Sequence, residues 1–227
     1  MQCGTIYNEV RSGYEGYSYF YNRIWGCQPD FKEIPYRGIA YVQIRDVQPG
    51  CVPLLVQECA SFCRMAGAER VYATGHEDLK EYPLYCTVEE MTLSDMEPFA
   101  PEACLWPVTE QTVEKWREIY NQGMKAVDNA STQTRQDEKE ILSSGGAYFV
   151  HDEGKLLGIG WMDGSELLCI VSVVPGQGAA VARSLFSVAD EARITLAVAS
   201  TNERAKKLYR KLGFIKTGER SRWYQIL

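Results

Sequence analysis

The chain has 227 residues, 45% of them hydrophobic and 24% charged, which fits one large or two small domains of ordinary globular composition. Its net charge of −6 argues against nucleic acid as a partner, because phosphate binding is driven by Lys and Arg. No apolar run approaches the length that crosses a bilayer, so no membrane partner is expected either.

The opening Met1-Gln2-Cys3-Gly4 has neither the basic start nor the apolar core of a secretion signal, and a cytoplasmic location is expected. The eight cysteines (Cys3, Cys27, Cys51, Cys59, Cys63, Cys86, Cys104 and Cys169) show no CxxC pair and read as reduced, mostly buried thiols. Cys59 and Cys63 share a helix face but lack nearby partners, and His76 and His151 are the only histidines, so no metal site is expected. Tyr7, Tyr14, Tyr17, Tyr19, Phe20, Tyr21 and Trp25 make the first stretch aromatic. It reads either as hairpin packing or as the lining of an acceptor cleft.

Further along, Leu54–Cys63 has helical amphipathicity, and Arg70–Thr74 and Tyr85–Leu93 read as strands. Glu97–Pro107 carries Pro98, Pro101 and Pro107, resists helix and reads as a connector. It separates two expected domains, 1–97 and 105–227. Thr109 then caps a helix with Val113, Trp116, Ile119 and Tyr120 on one stripe. Val127–Gln136 is a polar loop and Glu138–Leu142 a short helix. Strands follow at Ala147–His151, Leu156–Met162 and Leu167–Val174, with Glu153-Gly154 and Asp163-Gly164 as hairpin turns. A helix over Ala179–Ala192, a strand over Ile194–Ala199, a helix to Leu212 and a strand over Arg220–Leu227 complete the chain.

In the last helix Asn202 can cap the first turn, Ala205, Leu208 and Leu212 form a buried stripe, and Gly213 suits a left-handed C-cap. The pattern strand–Asn202-x-x-Ala205-x-x-Leu208-Tyr209-x-x-Leu212-Gly213-Phe214 resembles the end of the GCN5-related N-acetyltransferase (GNAT) family. Together with the element order, the resemblance covers about residues 105–227. It implies an α/β (α+β) fold with a mixed, mostly antiparallel sheet flanked by helices. It also implies acetyl-CoA as co-substrate.

By that resemblance, Gly176, Gln177, Gly178, Ala179 and Ala180 hold the pyrophosphate, as small residues at a helix N-terminus can. Gly178 and Ala180 match the family's loop, whereas Pro175 stands where the family carries Gln or Arg. Backbone amides of Val171, Ser172, Val173 and Val174 are implied to polarise the thioester carbonyl and pair with the pantetheine arm. Asn202 and Ala205 are implied to touch the cofactor and Tyr209 to be the general acid. Glu166 is the first candidate for general base, with Asp163 and His151 behind it. The basic residues Lys206, Lys207, Arg210, Lys211 and Lys216 form either a solvated helix face or a surface for the CoA phosphates.

The expected function is therefore acetyl transfer from acetyl-CoA to a primary amine of a small molecule or peptide, by direct attack. The alternative is a catalytically weak GNAT-fold module that binds acyl-CoA or a protein partner. The first half reads as a truncated GNAT-like copy or as an unrelated α/β piece, and a homodimer is possible.

Overall fold

The computed structural model describes residues 10–12, 18–21, 26–45, 47–48, 50–94 and 101–227. Tyr7, Tyr14, Tyr17, Trp25 and Pro98 lie outside the described residues. The chain forms two compact units, residues 1–87 with 221–227, and residues 88–220.

The first unit holds strands β1 (Val10–Ser12), β2 (Ser18–Tyr21), β3 (Gly26–Asp30), β4 (Ile39–Arg45) and β5 (Arg70–Thr74), a short helix α1 (Ile34–Arg37) and a longer one, α2 (Val52–Met65). A 3-10 turn at Glu77–Glu81 leads to β6 (Leu84–Leu93), whose first residues belong to this unit. Strands β1 to β4 are paired antiparallel in sequence order, and β4 and β5 are parallel. A parallel pair needs a crossover, which α2 supplies. Its apolar stripe of Val52, Leu55, Val56, Cys59 and Cys63 is buried against Val42, Ile44 and Val71 of the sheet. Cys59 and Cys27 approach within 3.1 Å in that core.

The second unit contains β7 (Cys104–Pro107), α3 (Val113–Met124), α4 (Glu138–Ser144), β8 (Ala147–Asp152), β9 (Lys155–Asp163), β10 (Glu166–Ser172), α5 (Gly178–Phe186), β11 (Ile194–Ala199), α6 (Glu203–Lys211) and most of β12 (Ile215–Gln225). Its strand order is β12-β6-β11-β10-β9-β8-β7. β10 and β11 run parallel, while β7 to β10 and the β11–β6 pair are antiparallel. Helices cover both faces. α5 and α6 bury Val181, Leu185 and Tyr209 against Leu167, Leu196 and Val150. On the other face, α3 and α4 bury Trp116, Ile119 and Ile141 against Ile159, Trp161 and Cys169. The fold is thus α/β with a mixed sheet flanked by helices. Among the described residues, no helix is long and apolar enough to cross a membrane.

Several boundaries differ from the sequence reading. Cys104–Pro107 is a strand rather than connector: it pairs with β8 at the sheet edge, where a proline costs no ladder bond. α3 starts at Val113, because Thr109 closes a turn through its carbonyl instead of capping the helix. α5 stops at Phe186 rather than Ala192, its last turns replaced by turn bonds onto Ser184, Leu185 and Phe186. β12 begins at Ile215, ahead of the expected Arg220.

Trp116 is fully buried, lies edge-on to Trp161 and donates its Nε1–H to the Tyr148 carbonyl at 3.1 Å. Trp116→Ala is expected to lower unfolding stability by ~3–5 kcal/mol in urea titration, through the cavity and the orphaned carbonyl.

Candidate functional site

Among the described residues, β10 and β11 pair only at Glu166↔Thr195 and Leu167↔Leu196. Beyond that point the strands part. β10 stays bound to β9 as far as Ser172, and β11 stays bound to β6 as far as Ala199. The result is a wedge in the middle of the sheet. The register of β10 on β9 shifts between Leu167 and Cys169, which marks Leu168 as the extra residue of a bulge. A bulge reverses the in–out alternation. Leu167 accordingly joins the core beneath α5 and α6, whereas Cys169 and Val171 join the core beneath α3 and α4.

The wedge opens into a cleft of about 1040 Å³. Its walls are the facing edges of β10 and β11, the start of α5, one side of α6, the end of α3 and the Ala126–Ser131 loop. α3 comes close enough to β10 that a Cβ on Gly123 would overlap the Val171 side chain.

Main-chain direction along β10 follows from one bond. The Val173 N–H donates to the Leu157 carbonyl of β9 at 2.9 Å. Alternation then turns the Val171 N–H toward β9 as well, and the N–H groups of Ile170 and Ser172 toward the wedge. Of the four residues named from the sequence, Ser172 directs its amide into the opening, whereas Val171 and Val173 turn theirs toward β9. Ile170 is the residue that reading missed, because sequence does not set which parity faces β9. The Val174 carbonyl accepts from Ser172 Oγ at 2.8 Å and from the Gln177 N–H at 3.2 Å, tying down the strand exit.

That Val174–Gln177 bond closes a turn with Pro175 second and Gly176, at φ 86°, third. Pro followed by a positive-φ glycine is the signature of a type II turn. Pro175 thus stiffens the loop through its ring. Gln177 precedes α5 without a side-chain cap bond, so the first-turn amides of Gly178, Ala179 and Ala180 are without a side-chain cap at a positive helix end. Gly176, Gly178 and Ala179 line the cleft.

On α6, Asn202 Oδ1 accepts the Ala205 N–H at 3.1 Å, the cap bond its position suggests. Asn202, Ala205, Leu208 and Tyr209 line the cleft. Tyr209 is buried and packs on Phe214 with ring centres 5.7 Å apart. Burial, with the nearby Cys169 thiol, pushes its phenol above the ordinary value near 10, so it keeps its proton.

The basic run divides in two. Lys206 is buried and bound to Glu89 and Glu203, Lys216 to Glu89, and Arg210 to Glu203. Lys207 and Lys211, with Arg204, line the cleft on one stripe of α6.

The three candidate bases lie elsewhere. Glu166 accepts from Arg220 at 2.6 Å, and Arg220 also holds Glu90 at 3.1 Å. Asp163 sits opposite Glu166 at the β9–β10 turn. His151 is on β8, against Trp106. None of the three lines the cleft; the carboxylates that do are Asp128, which accepts from Thr201 Oγ1 at 2.7 Å, and Glu203. Among the described residues no cluster of His, Cys, Asp or Glu is arranged to hold a metal.

No family model matches the chain, and no curated protein matches it. Solved structures do. A GCN5-related N-acetyltransferase of Sphaerobacter thermophilus is 13% identical over 93% of this chain and 78% of its own, with a TM-score of 0.57. Another, of Anabaena variabilis, is 11% identical over 94% and 63%, with a TM-score of 0.58. A functionally unknown conserved protein of Staphylococcus epidermidis is 11% identical over 97% and 94%, with a TM-score of 0.54. The chain therefore shares the fold of GCN5-related N-acetyltransferase structures.

The folded state holds the Tyr209 proton to higher pH than the unfolded chain does. This contribution is whole below about pH 10 and falls as pH rises further. Urea titrations between about pH 9 and 11 are expected to show a shallower fall in stability for Tyr209→Phe than for the wild type.

Proposed function

We propose that the chain is an acyl-CoA-dependent N-acyltransferase, using acetyl-CoA to acylate a primary amine of a small molecule or peptide. The observation that carries this reading is the wedge between β10 and β11 with the turn-shaped, uncapped start of α5 at its mouth. An extended arm bearing amides can pair with a strand edge in such an opening, and phosphates suit helix amides. The residues present therefore fit the co-substrate.

In this reading the first-turn amides of Gly178, Ala179 and Ala180 hold the pyrophosphate on the Pro175-Gly176 turn, and Arg204, Lys207 and Lys211 add charge beside it. The Ile170 and Ser172 amides face the arm. Asn202 fixes the start of α6 and Ala205 lets the chain approach closely. The co-substrate supplies a thioester, whose acyl carbon takes the amine while the sulfur leaves as a thiol. Tyr209, kept neutral by burial, donates the proton that the sulfur needs. The base role assigned to Glu166 requires its ion pair with Arg220 to open; Asp128 stands on the cleft wall itself. That arrangement favours a second reading, a module that binds acyl-CoA or a protein partner and turns over slowly. A cytoplasmic setting and a homodimer remain parts of the proposal.

We also read the first unit as a truncated copy of the second. From β2 on, and apart from α1 between β3 and β4, its order of three antiparallel strands, helix, parallel strand, helical turn and strand follows that of β8 to β12, with the 3-10 turn in place of α6. In it β4 and β5 stay paired from Ile39↔Arg70 to Gln43↔Thr74, so the wedge is lacking there.

Thiol release from acetyl-CoA with a panel of primary amines tests the enzyme reading. Tyr209→Phe is expected to lower kcat ~10²-fold, and Asp128→Asn to lower it more than Glu166→Gln. Lys207→Glu with Lys211→Glu is expected to raise KM for acetyl-CoA, by a factor that shrinks at high salt. Binding without thiol release for any amine supports the second reading.

A further inference from the structure

We infer that Lys206 is a positioning residue for the cleft, holding α6 at the angle that presents Tyr209 to it. Lys206 is the one lysine or arginine buried among the described residues, at 7% exposure. A buried ammonium must be matched donor for acceptor or it destabilises the fold. Here the match is complete. Nζ donates to the Ser200 carbonyl at 3.0 Å and to Glu203 Oε1 at 3.0 Å, and lies 3.4 Å from Glu89 Oε2. Glu89 is fixed in turn by Lys216 at 3.0 Å; burial alone would raise its carboxyl, yet the two lysines hold it below the ordinary range.

These acceptors come from two elements and the connection between β11 and α6. Ser200 follows β11, Glu203 opens α6 and Glu89 is on β6. One side chain therefore bolts the exit of β11 and the first turn of α6 to the neighbouring strand, beside the Asn202 cap. Lys206 and Tyr209 are three apart and are the two buried residues of α6. The buried stripe thus runs through Lys206 and Tyr209, with Ala205, Leu208 and Leu212 half-buried at its flanks rather than at its centre. Rotating α6 about its axis to place those apolar residues centrally would pull Lys206 off Glu89 and swing Tyr209 away from the cleft. A charge thus sets the angle that hydrophobic packing alone would set differently.

The inference rests on the reading of Tyr209 as the acid, so its test carries a readout independent of turnover. In full-length protein carrying 13C-labelled tyrosine, the Tyr209 resonance is assigned by its loss in Tyr209→Phe. In Lys206→Met this resonance is expected to shift and to titrate at lower pH than in the wild type, and Lys206→Arg to restore both. In thiol-release assays Lys206→Met is expected to lower kcat about 10- to 100-fold while KM for acetyl-CoA stays within about twofold. Adding Tyr209→Phe should cost nothing further. An unmoved Tyr209 resonance, or kinetic losses that multiply in the double variant, overturns the inference. If the wild type neither binds nor turns over acetyl-CoA, the functional reading falls while the tyrosine resonance still decides the role of Lys206. Should Lys206→Met not fold, Glu89→Gln, which keeps the partner's shape without its charge, goes through the same comparison with the same direction of shift expected.

Discussion

Two parallel strands in the middle of a sheet ordinarily keep their ladder to the end, since a main-chain N–H without a partner is costly. In the second unit β10 and β11 give theirs up after Leu167↔Leu196, and the rest of that unit is arranged to hold them apart. β9 and β6 supply the outer ladders. The Leu168 bulge redirects β10, and α3 closes on Val171 through the bare backbone of Gly123. α6 is bolted down by Lys206 on Glu89. Because each strand is secured on its outer side, the wedge is a built cavity and its inward amides are an offer to a ligand.

The first unit has a parallel strand pair without those devices. β4 and β5 pair over their whole common length, and α2 packs a continuous apolar stripe across them. Among the described residues, β5 is followed by a 3-10 turn at Glu77–Glu81 rather than by an α-helix. What sets the second unit apart is local: a bulge, a glycine, a capped helix and an ion pair on a half-buried carboxylate.

Much of this was legible in the sequence. The two hairpins, the apolar stripe of α3 and the Asn202 cap follow from local chemistry, and the structure has each, whereas the buried stripe of α6 passes through Lys206 and Tyr209 rather than Ala205, Leu208 and Leu212. Pro107 misled, because a proline stops a helix but is tolerated in an edge strand, and sequence does not say which strand is an edge. The parity of β10 was hidden for a similar reason: Val171 or Ile170 faces the wedge according to a register set by β9 and by the bulge. In sequence Lys206 is one of a basic run that reads either as a solvated face or as a surface for the CoA phosphates, because its partner Glu89 is distant in the chain. Glu166 reads as an available base in sequence, whereas in the fold Arg220 of β12 engages it. In each case a long-range pairing decided what a local pattern left open.

The central claim is that the wedge and the start of α5 form the acyl-CoA site. Gly178 is a poor place to probe it, since an added Cβ comes within 3.2 Å of Leu208 and would disturb α6 as well. Ala179 lines the cleft on the same turn. The most direct measurement is calorimetric titration of acetyl-CoA into the wild type and into Ala179→Glu, which sets a carboxylate against the pyrophosphate. Micromolar binding is expected for the wild type, with its loss in a variant that keeps its thermal stability. No binding by the wild type, or equal binding by both, would contradict the central claim.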